Sequence, residues 1–444
     1  METEKTFTQG PILSALLKFA LPVLLALLLQ AMYGAVDLQV VGKFGTAADI
    51  SAVSTGSQIM QTVTIVITGL AMGITVLLGQ KIGEGKPEEA GAAVGSGICL
   101  FLVVAVVATA ALELAAPQLA VLMHAPADAF DGTVEYVRIC SGGAVFIVAY
   151  NLLGSIFRGI GDSRVPLITV LIACVLNIGG DLFFVQVLNW GSNGCALSTV
   201  VSEALCCVLC VLYIRWKVPI LQLGRRWLVF DGKLLRKTVS YGWTSAMQQA
   251  TVQLGKIAIQ AIVNTMGVNA MAAFAAAGRI DDFAYVPQQN IGHATTTLMA
   301  QNRGASKKER VRASFFCGLK LEFLYAIFIT AVCFFFAEPI IRLFVTDAAV
   351  VHLGVRFLKL VSLFYLMPSL TNGIQGGFRG LGDLKITLNS STLNMAGRVA
   401  AAAVFVLLMK MDIEALPYSY VVGWILMLVY EAPMMVKYLR KGEL

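Results

Sequence analysis

The sequence predicts an all-α polytopic membrane protein with twelve transmembrane helices in two six-helix lobes related by a parallel internal repeat. Composition, a series of long apolar runs and one recurring sequence offset support this fold class. Of the 444 residues, 58% are hydrophobic and 13% are charged, and the mean hydropathy is +0.78. A soluble domain carries roughly 45–50% apolar and about 25% charged residues. The composition therefore excludes a set of soluble domains, and it also excludes disorder.

The apolar runs define the spans. A helix that crosses a bilayer needs about 20 mainly apolar residues. Twelve runs reach this length, and several exceed it, which indicates tilt or extension beyond the bilayer. The predicted spans are 14–40, 51–79, 90–115, 133–157, 165–187, 194–215, 237–264, 271–300, 311–336, 350–378, 386–409 and 414–437.

The basic residues are distributed unevenly between the two sides. The loops on the side of the N-terminus hold 21 Lys and Arg, whereas the opposite loops hold Lys43, Arg342 and Lys410. Cytoplasmic loops carry such an excess, so both termini are predicted to be cytoplasmic in a multi-pass plasma-membrane protein. This topology explains the net charge of +7 without a nucleic-acid partner. Most of the nine cysteines lie within apolar runs, where a thiol behaves as a small hydrophobe.

One offset relates the two halves of the chain. Residues 80–88 match residues 301–309 at Gln, Gly, Lys and Glu positions, and FRGIGD from Phe157 matches FRGLGD from Phe378, each 221 residues apart. Two separate blocks with one offset indicate an internal repeat. We predict an N-terminal lobe over 1–216, a basic cytoplasmic linker over 217–235 and a C-terminal lobe over 236–444. Parallel repeats of this kind suit alternating access.

Two acids are predicted to lie deep within spans of the first lobe. Asp37 lies near the outer end of the first span, and Asp181 lies about 22 Å along the fifth, in a core roughly 30 Å thick. Asn177 shares a helix face with Asp181, and Thr199 falls at a similar depth. Oxygen ligands suit a hard cation. Two carboxylates in one pocket also suit a proton, and their cost in the bilayer, about 2.5–3.5 kcal/mol each, requires compensation or a use.

These motifs resemble the multidrug and toxic compound extrusion (MATE) family over essentially the whole chain. The resemblance implies a drug or metabolite exporter driven by inward flow of protons or sodium ions. It also implies amphipathic, often cationic substrates, no cofactor beyond the coupling ion, and a monomer in the lipid bilayer. The matching segments are Pro22, YGAVDLQVVG from Tyr33, GQKIGEGK from Gly79, FRGIGDSRVP from Phe157, NIGGD from Asn177, ALSTVVSE from Ala196, GRIDDFAYVPQQNIGHA from Gly278, AQNRGASKKE from Ala300 and FRGLGD from Phe378.

The resemblance also implies roles at the predicted cation site. Asp37 would be the main coupling carboxylate, with Asp181 and Asn177 as its partners. Thr199 would be an oxygen ligand and Tyr33 a hydrogen-bonding neighbour. If the coupling ion is sodium, the metal ligands would be Asp37, Asn177, Asp181 and Thr199. The alternative is a structural role, with the acids neutralised by a lysine or held by interhelical hydrogen bonds.

The second lobe departs from the NorM-like branch of the family. Its seventh and tenth spans lack the additional acids of that branch, and Lys256 and Arg398 are basic. The offset of 221 places Arg398 at the position of Asn177. This resembles the DinF-like branch and predicts coupling in the first lobe alone. Arg279 and Asp282, three apart, are predicted to form a structural ion pair, with a substrate contact as the alternative. Lys256 would either join that network or line the cavity.

The substrate cavity is expected between the lobes by analogy with the family. Candidate lining residues are amides and one flexible thioether, which suit varied amphipathic compounds. An alternative function is a flippase for lipid-linked precursors or polysaccharides, which would require a strongly cationic cavity. An enzyme is not expected, because no metal-ligand cluster or nucleophile motif occurs. The candidate cavity residues are Gln58, Gln61, Gln248, Gln253, Gln288 and Met271.

Overall fold

The computed structural model describes residues 7–218 and 231–442, without the side chains of residues 30–35 and 87. The described residues contain helices and no β-strand. A 3₁₀ turn (Asn264–Met266) follows α8, and π turns at Leu182–Val187 and Val404–Leu408 extend α6 and α14. The helices are α1 (Ile12–Phe44), α2 (Ala47–Gly83), α3 (Pro87–Leu122), α4 (Phe130–Gly142), α5 (Ala144–Ile160), α6 (Arg164–Asp181), α7 (Gly191–Lys217), α8 (Gly232–Val263), α9 (Val268–Gly304), α10 (Lys308–Phe335), α11 (Ala337–Arg342), α12 (Ala348–Ser362), α13 (Leu366–Gly380), α14 (Leu384–Ala403) and α15 (Ala415–Arg440).

The helices confirm the predicted fold class. In the described part of the chain, eight helices are long and apolar enough to cross a membrane, and two bent helix pairs raise the number to ten. Helices α8 and α9 have 32 and 37 residues, which is long enough for a span, but they are more polar than the others. Each predicted span therefore falls on one long helix or on one pair of consecutive helices.

Two predicted spans are bent rather than continuous. Spans 133–157 and 350–378 break into α4 plus α5, bent by 57°, and α12 plus α13, bent by 50°. At the first break, Gly143 lies so close to Val200 of α7 that a side chain at residue 143 would clash. Hydropathy does not reveal such a bend, because both arms of each pair are apolar.

The backbone repeats its irregularities as well as its helices. Gly161 and Gly382 end the FRGxGD turns with φ angles of +85° and +75°. Asn189 and Lys410 follow the two π turns with φ angles of +54° and +55°. Left-handed backbone is uncommon outside glycine, so its recurrence 221 residues later is strong evidence for the internal repeat.

The described chain divides into two compact units. The N-terminal unit is Leu21–Ala246, and the C-terminal unit is Met1–Ala20 together with Met247–Leu444. Their limits fall inside α1 and α8, whereas the predicted limits fall at a linker over 217–235. Most of that predicted linker lies outside the described residues.

The start of α1 belongs to the C-terminal unit because polar side chains of α9 hold it there. Asn290 donates from Nδ2 to the carbonyl of Ala20 at 2.6 Å, and Asn302 donates to the carbonyl of Phe7 at 2.8 Å. Asn290 and Asn302 are themselves buried, so their amide donors would be costly to leave unmatched. These bonds separate the first turns of α1 from the remainder of that helix.

The start of α8 belongs to the N-terminal unit for a corresponding reason. Gly242 of α8 and Gly73 of α2 pack backbone to backbone, and a Cβ on Gly73 would lie 2.5 Å from the Gly242 nitrogen. Leu234 packs against Leu77 in the same interface. Small residues allow such close helix approach in membranes.

Each unit has its own core and an apolar exterior. Phe157 is fully buried in the N-terminal unit, and its repeat partner Phe378 is fully buried in the C-terminal unit. Leu114, Phe335 and Leu408 are instead more than 70% exposed. Large exposed aliphatic and aromatic side chains are costly in water but suit contact with lipid.

Candidate functional site

Two helices of the N-terminal unit bring together the acids predicted from the sequence. Asp37 lies on α1, and Asn177 and Asp181 lie one turn apart on α6. Asp37 is 3% exposed, and the other two are fully buried. The Asp37 carboxylate lies beside both Asp181 and Asn177. Burial and proximity therefore combine two carboxylates and one amide in a single pocket.

Helix α7 closes this pocket. Asn177 donates from Nδ2 to Oγ of Ser198 at 3.2 Å, and Ser198 donates back to the Asn177 carbonyl at 2.8 Å. Gly180 permits this approach, because a Cβ there would collide with Ser198. Cys195 and Ser198 lie beside Asp181. The amide of Asn177 is thus fixed by α7.

Several buried oxygens of this pocket have no hydrogen-bond donor among the described residues. They belong to Asp37 (Oδ1), Asn177 (Oδ1), Asp181 (Oδ1 and Oδ2) and Thr199 (Oγ1). Buried polar groups in proteins are nearly always paired, so each such oxygen requires an explanation. Carboxylate, amide and hydroxyl oxygens are the ligands of hard cations, and a carboxylate pair can also hold a proton.

The placement of Thr199 follows from its helix. Thr199 lies four residues after Cys195, so the two share one face of α7. The internal repeat supports a position of Thr199 near Asn177. Their repeat partners in the C-terminal unit, Tyr420 and Arg398, lie against one another. The Tyr33 side chain lies outside the described residues, and its predicted role stays a prediction.

Three residues of α7 near the site were not predicted from the sequence, namely Cys195, Ser198 and Glu203. Oε2 of Glu203 is buried without a partner in the described part of the chain. Glu203 lies one turn beyond Thr199 on α7, and Cys140 lies near both Glu203 and Asp37. The spacing of four residues from Thr199 was the available signal for Cys195 and Glu203, whereas Ser198 directly precedes Thr199 and had no such signal.

The equivalent positions of the C-terminal unit have a different chemistry. The repeat partners of Asp37 and Asp181 are Ala258 and Ala402. Arg398 extends over the ring of Tyr420, with its guanidinium carbon 3.0 Å from the ring centroid. The π turn recurs here without the acids, so it belongs to the fold rather than to the cation site.

The predicted ion pair between Arg279 and Asp282 is wrong. Asp282 pairs with Lys256 of α8 at 3.1 Å, and both side chains are more than half exposed. Arg279 has no ion pair within the described ranges. Asp281, next in sequence to Asp282, lies near Arg398. Residues three apart on a helix can meet, but a lysine on the adjacent helix competes successfully here.

One further acid of the C-terminal unit is buried. Glu322 of α10 is fully buried, and neither of its carboxylate oxygens has a hydrogen-bond partner among the described residues. Its repeat partner is Phe101, which lies in a hydrophobic core. Glu322 is therefore a competitor for any role assigned to the acids of the N-terminal unit.

Gln248 is not a free lining residue as predicted. It is 5% exposed, and Nε2 donates to Oε1 of Gln375 at 3.0 Å and to Oγ of Ser391 at 2.9 Å. Both bonds end inside the C-terminal unit. An amide that is fully engaged in a buried network has no donor left for a substrate on that side.

The other candidate lining residues vary in exposure. Gln58 and Gln61 are exposed on α2. Gln253 is partly buried, and Gln288 is buried with no partner for Oε1 in the described part of the chain. Met271 packs against the core of the C-terminal unit, which favours a structural role. The cavity residues stay a prediction for the four glutamines other than Gln248.

The described residues contain no group of three or more His, Cys, Asp or Glu side chains that could hold a metal ion. The pocket around Asp37 has two carboxylates, completed by amide and hydroxyl oxygens. Such a mixed oxygen set differs from the sites that hold structural zinc.

Known proteins similar to this chain are transporters. The model of the MatE family matches residues 22–183 and 245–403. The probable multidrug resistance protein YpnP of Bacillus subtilis is 26% identical over 379 residues, which cover 85% of this chain and 84% of that protein. The probable multidrug resistance protein NorM of Thermotoga maritima is 23% identical over 372 residues, with coverages of 83% and 80%.

Solved structures share the fold over the whole length. A MOP superfamily transporter of Pyrococcus furiosus, described as having a binding pocket of reverse polarity, superposes with a TM-score of 0.91 at 21% identity and covers 99% of each chain. A multidrug resistance MATE family transporter in an outward-facing conformation also gives 0.91 at 21% identity, with 99% of each chain covered. Because the family model matches well over half of the sequence, the chain belongs to the MatE family of multidrug and toxic compound extrusion transporters.

Proposed function

We propose that this membrane protein exports amphipathic, often cationic compounds in exchange for inward flow of protons or sodium ions. The names of its relatives support multidrug export. The observation that carries the coupling is the pair of buried carboxylates, Asp37 and Asp181, of which Oδ1 of Asp37 and both oxygens of Asp181 lack donors among the described residues. The positive-inside pattern supports a plasma-membrane location with both termini in the cytoplasm.

The carboxylate pair acts as the cation-dependent element. When the pocket is empty, two negative charges in a dry environment repel one another, and each also loses hydration. Binding of one proton or one sodium ion neutralises a charge and provides the missing partner. The cation therefore favours a closed pocket, and its release favours an altered arrangement of α1 and α6.

Alternating access follows if this change is linked to the exposure of the drug site. A ligand shifts a conformational equilibrium only by its differential affinity for the two states. Occupation of the carboxylate pair and occupation of the drug site then favour opposite states, which gives exchange rather than leakage. The parallel repeat supplies two halves of the kind that rock against each other in transporters.

Efflux from energised vesicles tests this proposal. Purified protein is reconstituted into liposomes, and export of ethidium is followed under an imposed proton or sodium gradient. We expect Asp37→Asn to reduce gradient-driven export to background, because the neutral amide cannot bind and release a proton or balance the charge of a sodium ion. Asp282→Asn is the matched control, since it removes an exposed acid of the C-terminal unit, and it should keep export within about twofold.

Two arms identify the ion. A sodium gradient at constant pH and a pH gradient in sodium-free buffer are applied separately, because the same oxygens serve either cation. Undiminished coupled export in Asp37→Asn would exclude the proposed site. Loss of export in Glu322→Gln with a folded protein would show that coupling is not confined to the N-terminal unit.

The flippase alternative trails on one observation. A flippase of this kind requires a strongly cationic cavity, yet Lys256, one of the few basic residues within spans, is paired with Asp282. Translocation of a lipid-linked precursor without export of ethidium would favour this alternative.

A further inference from the structure

The N-terminal unit contains a cavity, separate from the carboxylate pair, whose lining is mainly apolar but includes several polar side chains. Its volume is about 100 Å³. Arg158 at the end of α5, Tyr150, Asn151, Thr68 and Thr169 line it together with apolar side chains. A water molecule needs roughly 10–15 Å³, so the cavity has room for a small ion and several waters.

Arg158 brings an unneutralised positive charge to this cavity. Nη2 donates to Oγ of Ser155 at 2.7 Å. No carboxylate lies within ion-pair distance of its guanidinium in the described ranges. A guanidinium has five N–H donors and always carries its charge, and this partly buried one has a single neutral protein acceptor among the described hydrogen bonds.

Hydrogen-bonded polar side chains stand at the equivalent positions of the other unit. In the C-terminal unit, Arg379 donates from Nη2 to Oε1 of Gln375 at 2.8 Å. Glu431 lies near Arg379, and Ser390 donates to Oε1 of Glu431 at 2.6 Å. Gln248 completes the network through Gln375. The arginine of this unit thus has a buried carboxylate and two amides around it.

The offset of 221 shows what the N-terminal unit lacks. Cys210 stands where the C-terminal unit has Glu431, Gly154 stands in place of Gln375, and Leu27 stands in place of Gln248. The loss of the Gln375 side chain opens space beside the arginine, since an added Cβ on Gly154 would lie 3.4 Å from Nη1 of Arg158. The loss of the Glu431 carboxylate removes the counter-charge. The arginine is therefore present in both units, with a carboxylate nearby in only one of them.

We propose that this cavity binds a small monovalent anion, held by the Arg158 guanidinium in the place that the Glu431 carboxylate fills in the other unit. One uncompensated cation requires one negative charge, and a divalent anion would restore the imbalance with opposite sign. The other polar groups assist without competing. Thr68 and Thr169 already donate to neighbouring acceptors, which leaves the arginine as the main donor to the anion.

Anion-dependent thermal stability tests this site. A ligand that binds only the folded protein raises the unfolding temperature in a saturable way. Full-length protein in detergent is heated in sodium gluconate, with part of the salt replaced by chloride, bromide or formate at constant ionic strength. We expect a saturable rise of several degrees with these small ions. Chloride and bromide against formate distinguish an inorganic anion from a small carboxylate.

Three variants locate the effect. Arg158→Gln and Cys210→Glu should abolish the saturable rise, the first by removing the cation and the second by supplying the internal carboxylate. Arg164→Gln is the matched control, because it removes an exposed arginine six residues away that does not line the cavity, and it should respond like the wild type.

Two outcomes would overturn the proposed anion site. A wild-type protein with no saturable response holds only water in this cavity. A response retained in Arg158→Gln, or in Cys210→Glu if the first variant does not fold, places the anion elsewhere.

Discussion

The two units of this transporter share a backbone and differ in how they use charge. At one pair of equivalent positions, the N-terminal unit has Asp37 and Asp181, whereas the C-terminal unit has two alanines. The neighbouring position is Asn177 in one unit and Arg398 in the other. The π turn and the left-handed residue after it are retained in both. The difference shows that the irregular backbone is inherited with the fold, while the chemistry is set by a few side chains.

A second pair of equivalent positions shows the same asymmetry. The C-terminal unit surrounds Arg379 with Gln375, Ser390 and Glu431, and the N-terminal unit leaves Arg158 beside a cavity. In the first comparison, the buried oxygens without partners belong to the N-terminal unit, and in the C-terminal unit Nε of Arg398 also lacks one among the described residues. Natural proteins depart from full satisfaction mainly at functional sites. The first asymmetry therefore favours the N-terminal unit for the coupling cation, and the cavity beside Arg158 supports an anion site in the same unit.

The largest expected effect comes from giving one unit the residue of the other. Asn177→Arg places a guanidinium beside Asp37 and Asp181. It would form an internal ion pair with them, and the pocket would no longer need a cation from outside. We expect gradient-driven ethidium export in liposomes to fall to background with both carboxylates intact.

Arg398→Asn is the reciprocal change and serves as the control. It removes the arginine from the C-terminal unit, where no acid pair exists at the equivalent positions, and it should retain proton- or sodium-coupled export. Coupled export in a folded Asn177→Arg protein would show that the two units do not divide the work as proposed.

The sequence was sufficient for the features that depend on charge and apolarity. The helical segments were predictable because a bilayer requires long apolar runs, and the repeat was predictable from an exact offset at FRGxGD. Asp37 and Asp181 stood out because acids are rare in spans. Asn177 followed from its spacing of four residues from Asp181, which fixes a shared helix face.

Features that depend on contacts between helices were not predictable. Gln248 has the composition of a cavity residue, but its partners Gln375 and Ser391 lie more than 120 residues away. Asp282 pairs with Lys256 of another helix rather than with Arg279 of the same helix. The first turns of α1 belong to the C-terminal unit through hydrogen bonds from two asparagines, and the first turns of α8 belong to the N-terminal unit through a close glycine contact. Hydropathy does not reveal either contact.

A stability comparison gives the next largest effect. Arg379→Gln loses a charge-assisted hydrogen bond to Gln375 and leaves Glu431 buried without its cation. We expect its free energy of unfolding to fall by about 2–3 kcal/mol. Arg158→Gln in gluconate buffer loses only the bond to Ser155, and we expect a loss of no more than about 1 kcal/mol. Thermal unfolding of both variants in detergent measures the difference.

The difference between these two losses of unfolding free energy should narrow when chloride replaces gluconate. Chloride stabilises the wild-type protein at Arg158, so Arg158→Gln then loses more stability relative to the wild type. Equal losses in gluconate would mean that Arg158 has a partner as good as that of Arg379.

The smallest expected effect concerns the exposed pair of Lys256 and Asp282. Its two side chains are 56% and 68% exposed, so solvent screens their attraction. A double-mutant cycle of Lys256→Gln and Asp282→Asn should give a coupling free energy below about 0.5 kcal/mol, and a further decrease in high salt. A coupling above about 2 kcal/mol would require a desolvated pair. In that case Asp282 would share the character of the buried acids, and the contrast in charge between the two units would be weaker than their side chains indicate.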